Sequence, residues 1–315
     1  MPSPLNAALD CLLPPAALHW LRSVKRAIMF EPPLAWPYGE TGEPEIAPAN
    51  QPIDDGHPIQ DIALERYKRR ELPSPDLYYT YEDVLIVAAQ EIAKTLTLCI
   101  QYINGSHVYG DIAEFGTMGG FTAKAIATSM VFDLQRQPLS KNASGENPFR
   151  VLRLFDSFRG LPEITSPVDQ ASPHVVSGAW AKGGCKVLAA AELGERIGKI
   201  IPPHRFEIYD GWFADTVSTL PPETRFAMIH FDGDLYQSTI DALDPLFERG
   251  MVSTGAVLCL DDWNANRALP GVGERRAWRE LVAKFDIEAS DCGDYSVAGK
   301  RFIIHSYRGI PADPE

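Results

Sequence analysis

The 315-residue sequence is poor in cysteine, in long apolar runs and in positive charge. Its five cysteines are an odd number without a C-x-x-C pair, which argues against a disulfide framework or a zinc site and predicts reduced thiols. The apolar stretch 7–21 is interrupted by Asp10, two prolines and His19 and follows no basic residue, so it indicates neither a secretory signal nor a membrane span. We therefore expect a cytoplasmic protein.

Basic residues are too few for a nucleic-acid partner. The chain has 29 Lys and Arg against 42 Asp and Glu, a formal net charge of −13 at pH 7. Nucleic acids and anionic membrane surfaces are bound by clustered cations, so we expect neither as a partner. With 45% hydrophobic and 23% charged residues, the composition is typical of a globular protein.

The first quarter of the chain differs in pattern from the rest. Residues 1–78 are rich in proline and lack a sustained period, apart from an amphipathic stretch at 16–29, so they predict an N-terminal arm or lid, part helical and part extended. The regular domain, residues 79–315, opens with a helix predicted over 83–102, where apolar residues recur at helical spacing.

Beyond this helix, strands and helices alternate, which predicts an α/β fold with a mostly parallel sheet and helices on both faces. Ligands bind to such sheets beyond the carboxyl ends of the strands. The predicted strands cover residues 110–114, 150–155, 206–209, 226–231, 256–260 and 301–305. The predicted helices cover residues 121–134, 189–197, 240–247 and 274–285, and a polar insertion spans 135–148.

The first strand runs into a glycine-rich turn, E-F-G-T-M-G-G-F-T, at residues 114–122. Glycines allow a backbone to approach a ligand closely, and a turn of this kind before a helix predicts a nucleotide-like ligand. The glycine spacing matches neither G-x-G-x-x-G nor Walker A, which disfavours NAD, FAD or a nucleoside triphosphate. Asp156 ends the next strand, where a carboxylate can accept hydrogen bonds from both hydroxyls of a ribose.

Four aspartates follow two further strands: Asp232 and Asp234 after one, Asp261 and Asp262 after the other. Carboxylates that meet at one sheet edge repel one another unless a cation lies among them, and oxygen-only ligands suit Mg²⁺. We predict Asp232, Asp261 and Asp262 as metal ligands and interpret Asp234 as a helix or turn cap. His230 faces the same side of its strand as Asp232, and we interpret it as an interior histidine whose polar atoms are satisfied.

Together, four motifs resemble the metal-dependent macrocin O-methyltransferases, which use S-adenosylmethionine to methylate sugar hydroxyls of glycosylated natural products. They are the turn 114–122, the D-S-F-R-G-L-P run at 156–162, the D-G-W-F segment at 210–213 and the two acidic pairs. The resemblance covers roughly residues 79–280 and implies a Rossmann-like class I methyltransferase fold. It also implies a small-molecule acceptor and a homo-oligomer, most simply a dimer.

The resemblance also implies roles for individual residues. Asp156 would hold the adenosine ribose, Asp210 would contact the adenine, and Trp212 would form a wall of the pocket. Asp232, besides binding the metal, would act as the general base. The cofactor-binding residues implied are Glu114, Gly116, Thr117, Met118, Thr122, Asp156, Ser157, Phe158, Asp210, Gly211, Trp212 and Asp232.

Other readings stay open. The acceptor of a methyltransferase of this kind can also be a catechol-like phenol, since either vicinal diol chelates a metal. A non-catalytic binding protein on the same fold is a third hypothesis, against which the mutually repelling aspartates argue, and an NAD-dependent oxidoreductase is the weakest. The chain departs from the family pattern at Trp263, where tyrosine is usual, and in the loop 265–273, which we expect to contact the acceptor.

Overall fold

The computed structural model describes residues 81–136 and 150–310, apart from the side chains of residues 81–87 and 132–136. The predicted arm and nearly all of the polar insertion lie outside the described residues. Within the described part of the chain, no helix is both long enough and apolar enough to cross a bilayer.

In the part of the chain that the structure describes, seven strands form a single mixed sheet. They are β1 (Asp111–Phe115), β2 (Leu152–Asp156), β3 (Phe206–Asp210), β4 (Phe226–Phe231), β5 (Val252–Leu260), β6 (Glu288–Tyr295) and β7 (Gly299–Ser306). The spatial order is β3-β2-β1-β4-β5-β7-β6, with the first five parallel and β7 antiparallel to both of its neighbours. The mostly parallel α/β sheet predicted from the sequence is confirmed.

Helices cover both faces of this sheet. They are α1 (Tyr81–Gly105), α2 (Phe121–Arg136), α3 (Pro167–Gln170), α4 (Pro173–Val176), α5 (Ala190–Gly198), α6 (Phe213–Thr216), α7 (Tyr236–Glu248) and α8 (Gly273–Phe285). One buried cluster joins α7 and α8 to the sheet, and another joins α1, α2 and α5. Strand β4 contributes side chains to both clusters, since Ile229 belongs to the first and Met228 to the second. Parallel strands buried on both faces need such near-continuous apolar sequences.

Three features differ from the prediction. Strand β6 was not predicted, because it is the edge strand and most of its residues are exposed, so its sequence has no apolar alternation. The short helices α3, α4 and α6 have only four residues each and no measurable period. Helix α7 begins at Tyr236, four residues before the predicted start, because its first turn is capped from elsewhere in the chain.

That cap is Asp169, a buried aspartate from α3. Its Oδ1 accepts the backbone N–H of Tyr236 at 2.8 Å, and its Oδ2 accepts that of Gln237 at 3.1 Å. Asp169 is only 1% exposed. The first N–H groups of a helix have no partner within the helix, so a carboxylate there satisfies them. Its negative charge also interacts favourably with the positive end of the helix dipole. Asp169 thereby fixes the start of the helix that follows the acidic segment 232–234.

Replacing Asp169 with Ala is therefore expected to lower the free energy of unfolding by about 2 kcal/mol, since two buried N–H groups lose their acceptor. Urea unfolding followed by circular dichroism measures this. Glu248→Ala, at the exposed end of the same helix, is the matched control and is expected to stay within about 0.5 kcal/mol of the parent protein. Equal stability of the two variants would contradict the capping role.

Candidate active site

A cavity of about 850 Å³ opens at the carboxyl ends of the parallel strands. It lies where β1 and β4 are neighbours and the strand order reverses, which is the usual ligand site of an open α/β sheet. Its walls come from the turns after all five parallel strands, from the start of α1 and from the turn between β6 and β7. This is the edge at which the sequence predicts chemistry.

The glycine-rich turn and the acidic segment meet at their backbones. Gly116 has φ +84°, and a Cβ atom there would lie 1.9 Å from the carbonyl oxygen of Asp232. The backbone N–H of Asp232 in turn donates to the carbonyl of Phe115 at 2.8 Å. Only glycine fits at this crossing, since any side chain would collide with the backbone of the neighbouring strand's end.

Asp156 holds the same turn from the other side. Its Oδ2 accepts the backbone N–H groups of Thr117 and Met118 at 2.7 and 3.1 Å, and also the hydroxyl of Thr117 at 3.0 Å. Its Oδ1 accepts one hydrogen bond, from the N–H of Phe158 at 2.7 Å. A carboxylate offers about four acceptor positions, so Oδ1 has capacity for one more donor at the cavity surface.

The remaining residues of the predicted cofactor set divide into two groups. Glu114, Phe158 and Asp210 do not line the cavity. Glu114 is completely buried, and Phe158 is partly buried against the cluster that includes α1, α2 and α5. Asp210 is exposed, and its Oδ1 lies 3.7 Å from a guanidinium nitrogen of Arg159. The nine that do line the cavity are Gly116, Thr117, Met118, Thr122, Asp156, Ser157, Gly211, Trp212 and Asp232.

The aspartates after β4 and β5 come together as expected from strand pairing. Phe231 and Leu260 are partners in the parallel ladder, so the residues that follow them leave the sheet side by side. Asp232, Asp234 and Asp262 each offer a carboxylate oxygen within 4.8 Å of the other two. Asp261 lies beside this cluster and also lines the cavity, but its Oδ1 turns inward.

The interpretation of Asp234 as a cap is wrong. The first N–H groups of α7 are accepted by Asp169, and no side chain caps the helix from its own N-terminal boundary. Asp234 adopts a left-handed backbone, φ +60°, and joins the acidic cluster instead. Conformations of this kind are uncommon outside glycine and are tolerated best by Asn and Asp.

The cluster concentrates negative charge where water is scarce. Burial, with the charges of Asp261 and Asp234, raises the pKa of Asp232 well above its ordinary value. Burial raises the pKa of Asp234 to about 7, and burial together with Asp234 and Asp232 raises that of Asp262. Each shift means that the ionised form is unfavourable without a positive partner. A divalent cation is the natural counter-charge for such a cluster.

The other side of the cavity is built by a loop that the sequence did not predict in detail. Three successive non-glycine residues, Asn266, Arg267 and Ala268, have left-handed φ values of 55°, 61° and 54°. The backbone N–H of His174 donates to Oδ1 of Asn266 at 2.9 Å, and the N–H of Asn266 donates to Nδ1 of His174 at 3.0 Å. His174 also stacks on Trp180, with ring centroids 4.6 Å apart. Since 92 residues separate His174 from Asn266, no local pattern predicts their contact.

Residues 85–289 match the family model described as macrocin O-methyltransferase (TylF), which is more than half of the chain. The chain belongs to the macrocin O-methyltransferase family. The matched residues contain the glycine-rich turn, Asp156 and the four aspartates that follow β4 and β5, which are Asp232, Asp234, Asp261 and Asp262. The resemblance noted in the sequence motifs is thereby confirmed.

Two curated relatives and one solved structure illustrate the similarity. The chain is 33% identical over 185 residues to the 8-demethyl-8-(2,3-dimethoxy-α-L-rhamnosyl)-tetracenomycin-C 4′-O-methyltransferase of Streptomyces olivaceus, covering 58% of this chain and 63% of that protein. It is 26% identical over 195 residues to the demethyldecarbamoylnovobiocin O-methyltransferase of Streptomyces niveus, covering 62% and 66%. The chain thus spans slightly less than two thirds of the length of these relatives.

The structure of the O-methyltransferase NovP superposes with a TM-score of 0.52 at 23% identity, covering 69% of this chain and 80% of that one. At this identity the likeness shows the fold, which is that of class I O-methyltransferases. The predicted Rossmann-like class I methyltransferase fold is confirmed.

The departure from the macrocin O-methyltransferase pattern at Trp263 has a structural explanation. Its ring packs edge-on against Phe302 of β7, with centroids 5.2 Å apart, and the guanidinium of Arg275 lies 4.9 Å above it. Trp263 is therefore directed to the core next to β7 and does not line the cavity. The neighbouring Asn264 lines it, as do Ala265 and Arg267 of the loop 265–273. Contact between this loop and the acceptor stays a prediction.

Proposed function

We propose that the chain is an O-methyltransferase that transfers the methyl group of S-adenosylmethionine to a hydroxyl of a sugar or glycosylated natural product, with Mg²⁺ as cofactor. The observation that carries this proposal is the double use of Asp232. Its backbone closes against Gly116 of the glycine-rich turn, and its carboxylate belongs to the acidic cluster. The proposed cofactor loop and the proposed cation site therefore meet at Asp232 in the same cavity.

The cofactor half of the cavity suits a nucleoside with a charged tail. Oδ1 of Asp156 has acceptor capacity for a ribose hydroxyl, and Trp212, which follows β3, lines the cavity. Ala88, Ala89 and Ile92 from the start of α1 add an apolar wall. When bound, S-adenosylmethionine supplies an electrophilic methyl group on its sulfonium. The protein's part is to hold that methyl group in line with the acceptor oxygen.

The acidic half suits Mg²⁺. Its donors are carboxylate oxygens, and those of Asp232, Asp234 and Asp262 lie within 4.8 Å of one another. Among the described residues, Oδ2 of Asp262 is buried and has no hydrogen-bond partner. We propose Asp232, Asp261 and Asp262 as ligands, with Asp234 as a fourth carboxylate at the cluster. Bound there, Mg²⁺ supplies Lewis acidity that stabilises negative charge developing on the acceptor hydroxyl. We also propose Asp232 as the residue that accepts the hydroxyl proton.

The acceptor side of the cavity favours a sugar over a catechol. Polar side chains line it beyond the cluster, including His174, Asn264, Asn266 and Arg267. The relative from S. olivaceus is named for methylation of a compound that carries a rhamnosyl group, which supports the same acceptor class. A catechol would instead need a narrow apolar slot beside the carboxylates.

Further expectations concern the whole protein. We propose residues 79–315 as the methyltransferase domain and residues 1–78 as an arm that covers the acceptor. We propose a cytoplasmic homodimer on the sequence alone, which size-exclusion chromatography with light scattering tests.

The direct test is a radiolabelled methyl-transfer assay with purified full-length protein. The acceptor panel contains a rhamnosylated polyketide, a simpler rhamnoside and a catechol, each with Mg²⁺ or with EDTA. We expect transfer to a rhamnosylated acceptor in Mg²⁺ and loss of transfer in EDTA. Transfer that persists in EDTA would contradict the proposed metal dependence. Transfer to the catechol alone would contradict the proposed sugar acceptor.

A further inference from the structure

A layer of buried polar side chains lies beneath the acidic cluster and does not line the cavity. Glu114 and His230 are 0% exposed, Glu274 is 1% exposed, and Tyr295 is 2% exposed. Burying groups of this kind costs several kcal/mol unless they have polar partners. A layer of four such groups under one site therefore calls for a function.

His230 is the centre of this layer. It is the ladder partner of Glu114, so the two side chains leave neighbouring strands on the same face. Nδ1 of His230 lies 3.3 Å from Oε1 of Glu114, and Nε2 lies 3.6 Å from Oδ1 of Asp261. The imidazole thus bridges a buried carboxylate and a carboxylate that reaches the cavity.

These contacts are not ordinary satisfied hydrogen bonds. Within residues 81–136 and 150–310, the buried atoms without a hydrogen bond of standard geometry include both ring nitrogens of His230, both carboxylate oxygens of Glu114 and Oδ1 of Asp261. The prediction that His230 is an interior histidine is confirmed, whereas the prediction that hydrogen bonds satisfy its polar atoms is wrong. Buried polar groups without hydrogen bonds are rare in folded proteins, and each calls for an explanation such as a catalytic role or a bound ion.

We propose that His230 is a positioning residue for the cation site, acting through Asp261. An imidazole against Oδ1 holds this oxygen on the buried side, so that Oδ2 is the one left for the cavity. Glu114 fixes the ring from behind, and Glu274 fixes the adjoining backbone, since its Oε2 accepts the N–H of Asp262 at 3.1 Å. Outer partners of this kind orient the ligands of a metal site and strengthen cation binding. The inference rests on the proposed metal function.

The test compares three substitutions of His230 in the full chain. His230→Phe keeps the ring and removes both nitrogens. His230→Gln keeps a donor near the position of Nε2, toward Asp261, whereas His230→Asn keeps one near Nδ1, toward Glu114. Mn²⁺ serves as the probe, because its free concentration is measured directly by electron paramagnetic resonance. Calorimetric binding of S-adenosylhomocysteine reports on the fold and the cofactor site.

We expect His230→Phe and His230→Asn to weaken Mn²⁺ binding by roughly 10- to 100-fold and His230→Gln to restore most of it. S-adenosylhomocysteine affinity is expected to stay within about twofold in each variant, since the ring lies outside the cavity. Cys99→Ala is the matched control and is expected to bind Mn²⁺ like the parent. Cys99 is also buried, and its Sγ lies 3.9 Å from Sγ of Cys259, the ladder partner of His230 on β5.

The possible outcomes distinguish failure of the His230 positioning role from failure of the proposed metal function. Unchanged Mn²⁺ affinity in His230→Phe would overturn the positioning role, and so would equal losses in His230→Gln and His230→Asn. Should His230→Phe fail to fold, the comparison of the Gln and Asn variants still decides. A parent protein that binds S-adenosylhomocysteine but no Mn²⁺ would instead overturn the proposed metal, and the inference with it.

Discussion

Replacing Asp232 with Asn is expected to slow methyl transfer by roughly 10³-fold, or about 4 kcal/mol in activation free energy. The substitution removes one charge from the cluster that would hold the cation and removes the proposed proton acceptor at the same time. It leaves the backbone contact with Gly116 in place, because that contact uses the carbonyl oxygen of residue 232. Cofactor affinity is therefore expected to change by less than about threefold.

The two proposed roles of Asp232 predict different responses to added metal. Initial rates with radiolabelled cofactor are measured across a range of Mg²⁺ concentrations. If Asp232 acts mainly as a ligand, high Mg²⁺ restores much of the rate, whereas a lost base leaves the rate low at every concentration. Asp244→Asn is the control: Asp244 is a partly buried residue of α7 whose carboxylate pairs with Lys284 of α8, and the variant is expected to keep the parent rate. A variant within tenfold of the parent rate at low Mg²⁺ would contradict both roles.

The fold was largely predictable because the parallel strands are buried on both faces. Residues 226–231 show this best: all six are buried, and the predicted bounds agree with the observed strand. Strand β6 was not predictable for the opposite reason, since an exposed edge strand containing Asp and Gly has no apolar pattern. Helix α4 begins with a proline and has four residues, too few for a helical period to be detected.

The candidate site was predictable as far as strand ends determine it. The pairing of β4 with β5 brings Asp232 and Asp261 to one edge, and the sequence predicts this from chain alternation alone. What each carboxylate contacts depends on backbone torsions and on distant residues. No local sequence pattern indicates the left-handed backbone of Asp234. Nor does one indicate that Asp169 caps the helix instead, because Asp169 lies 67 residues before Tyr236, the nearer of its two partners.

Glu114 shows a different limit of what the sequence predicts about the site. The family resemblance assigns it to the cofactor loop, yet the structure buries it completely next to His230. A side chain at the end of a strand can face the cavity or the interior, and strand alternation places Glu114 on the interior face shared with its ladder partner. The cofactor role of Glu114 remains a prediction, now through its position beneath the loop rather than through cavity contact.

Replacing Asp156 with Ala is expected to weaken S-adenosylhomocysteine binding by at least about 100-fold, or about 3 kcal/mol. Oδ2 of the carboxylate accepts the N–H groups of Thr117 and Met118, and we propose that Oδ1 accepts a ribose hydroxyl. Ala removes the acceptors for both, so the glycine-rich turn loses its support at the same time as the ligand loses its partner. Calorimetric titration of the parent and variant proteins measures the loss.

The isosteric variant Asp156→Asn distinguishes charge from shape. An amide has one acceptor oxygen and one donor group, so whichever way it is oriented, its N–H₂ faces an N–H of the turn or of Phe158. We therefore expect Asn to bind the ligand nearly as weakly as Ala. Glu207→Gln, an exposed position on neighbouring β3, is expected to bind like the parent. Parent-like binding by Asp156→Asn would mean that the turn does not depend on a charged acceptor, and absence of binding in the parent would remove the cofactor assignment itself.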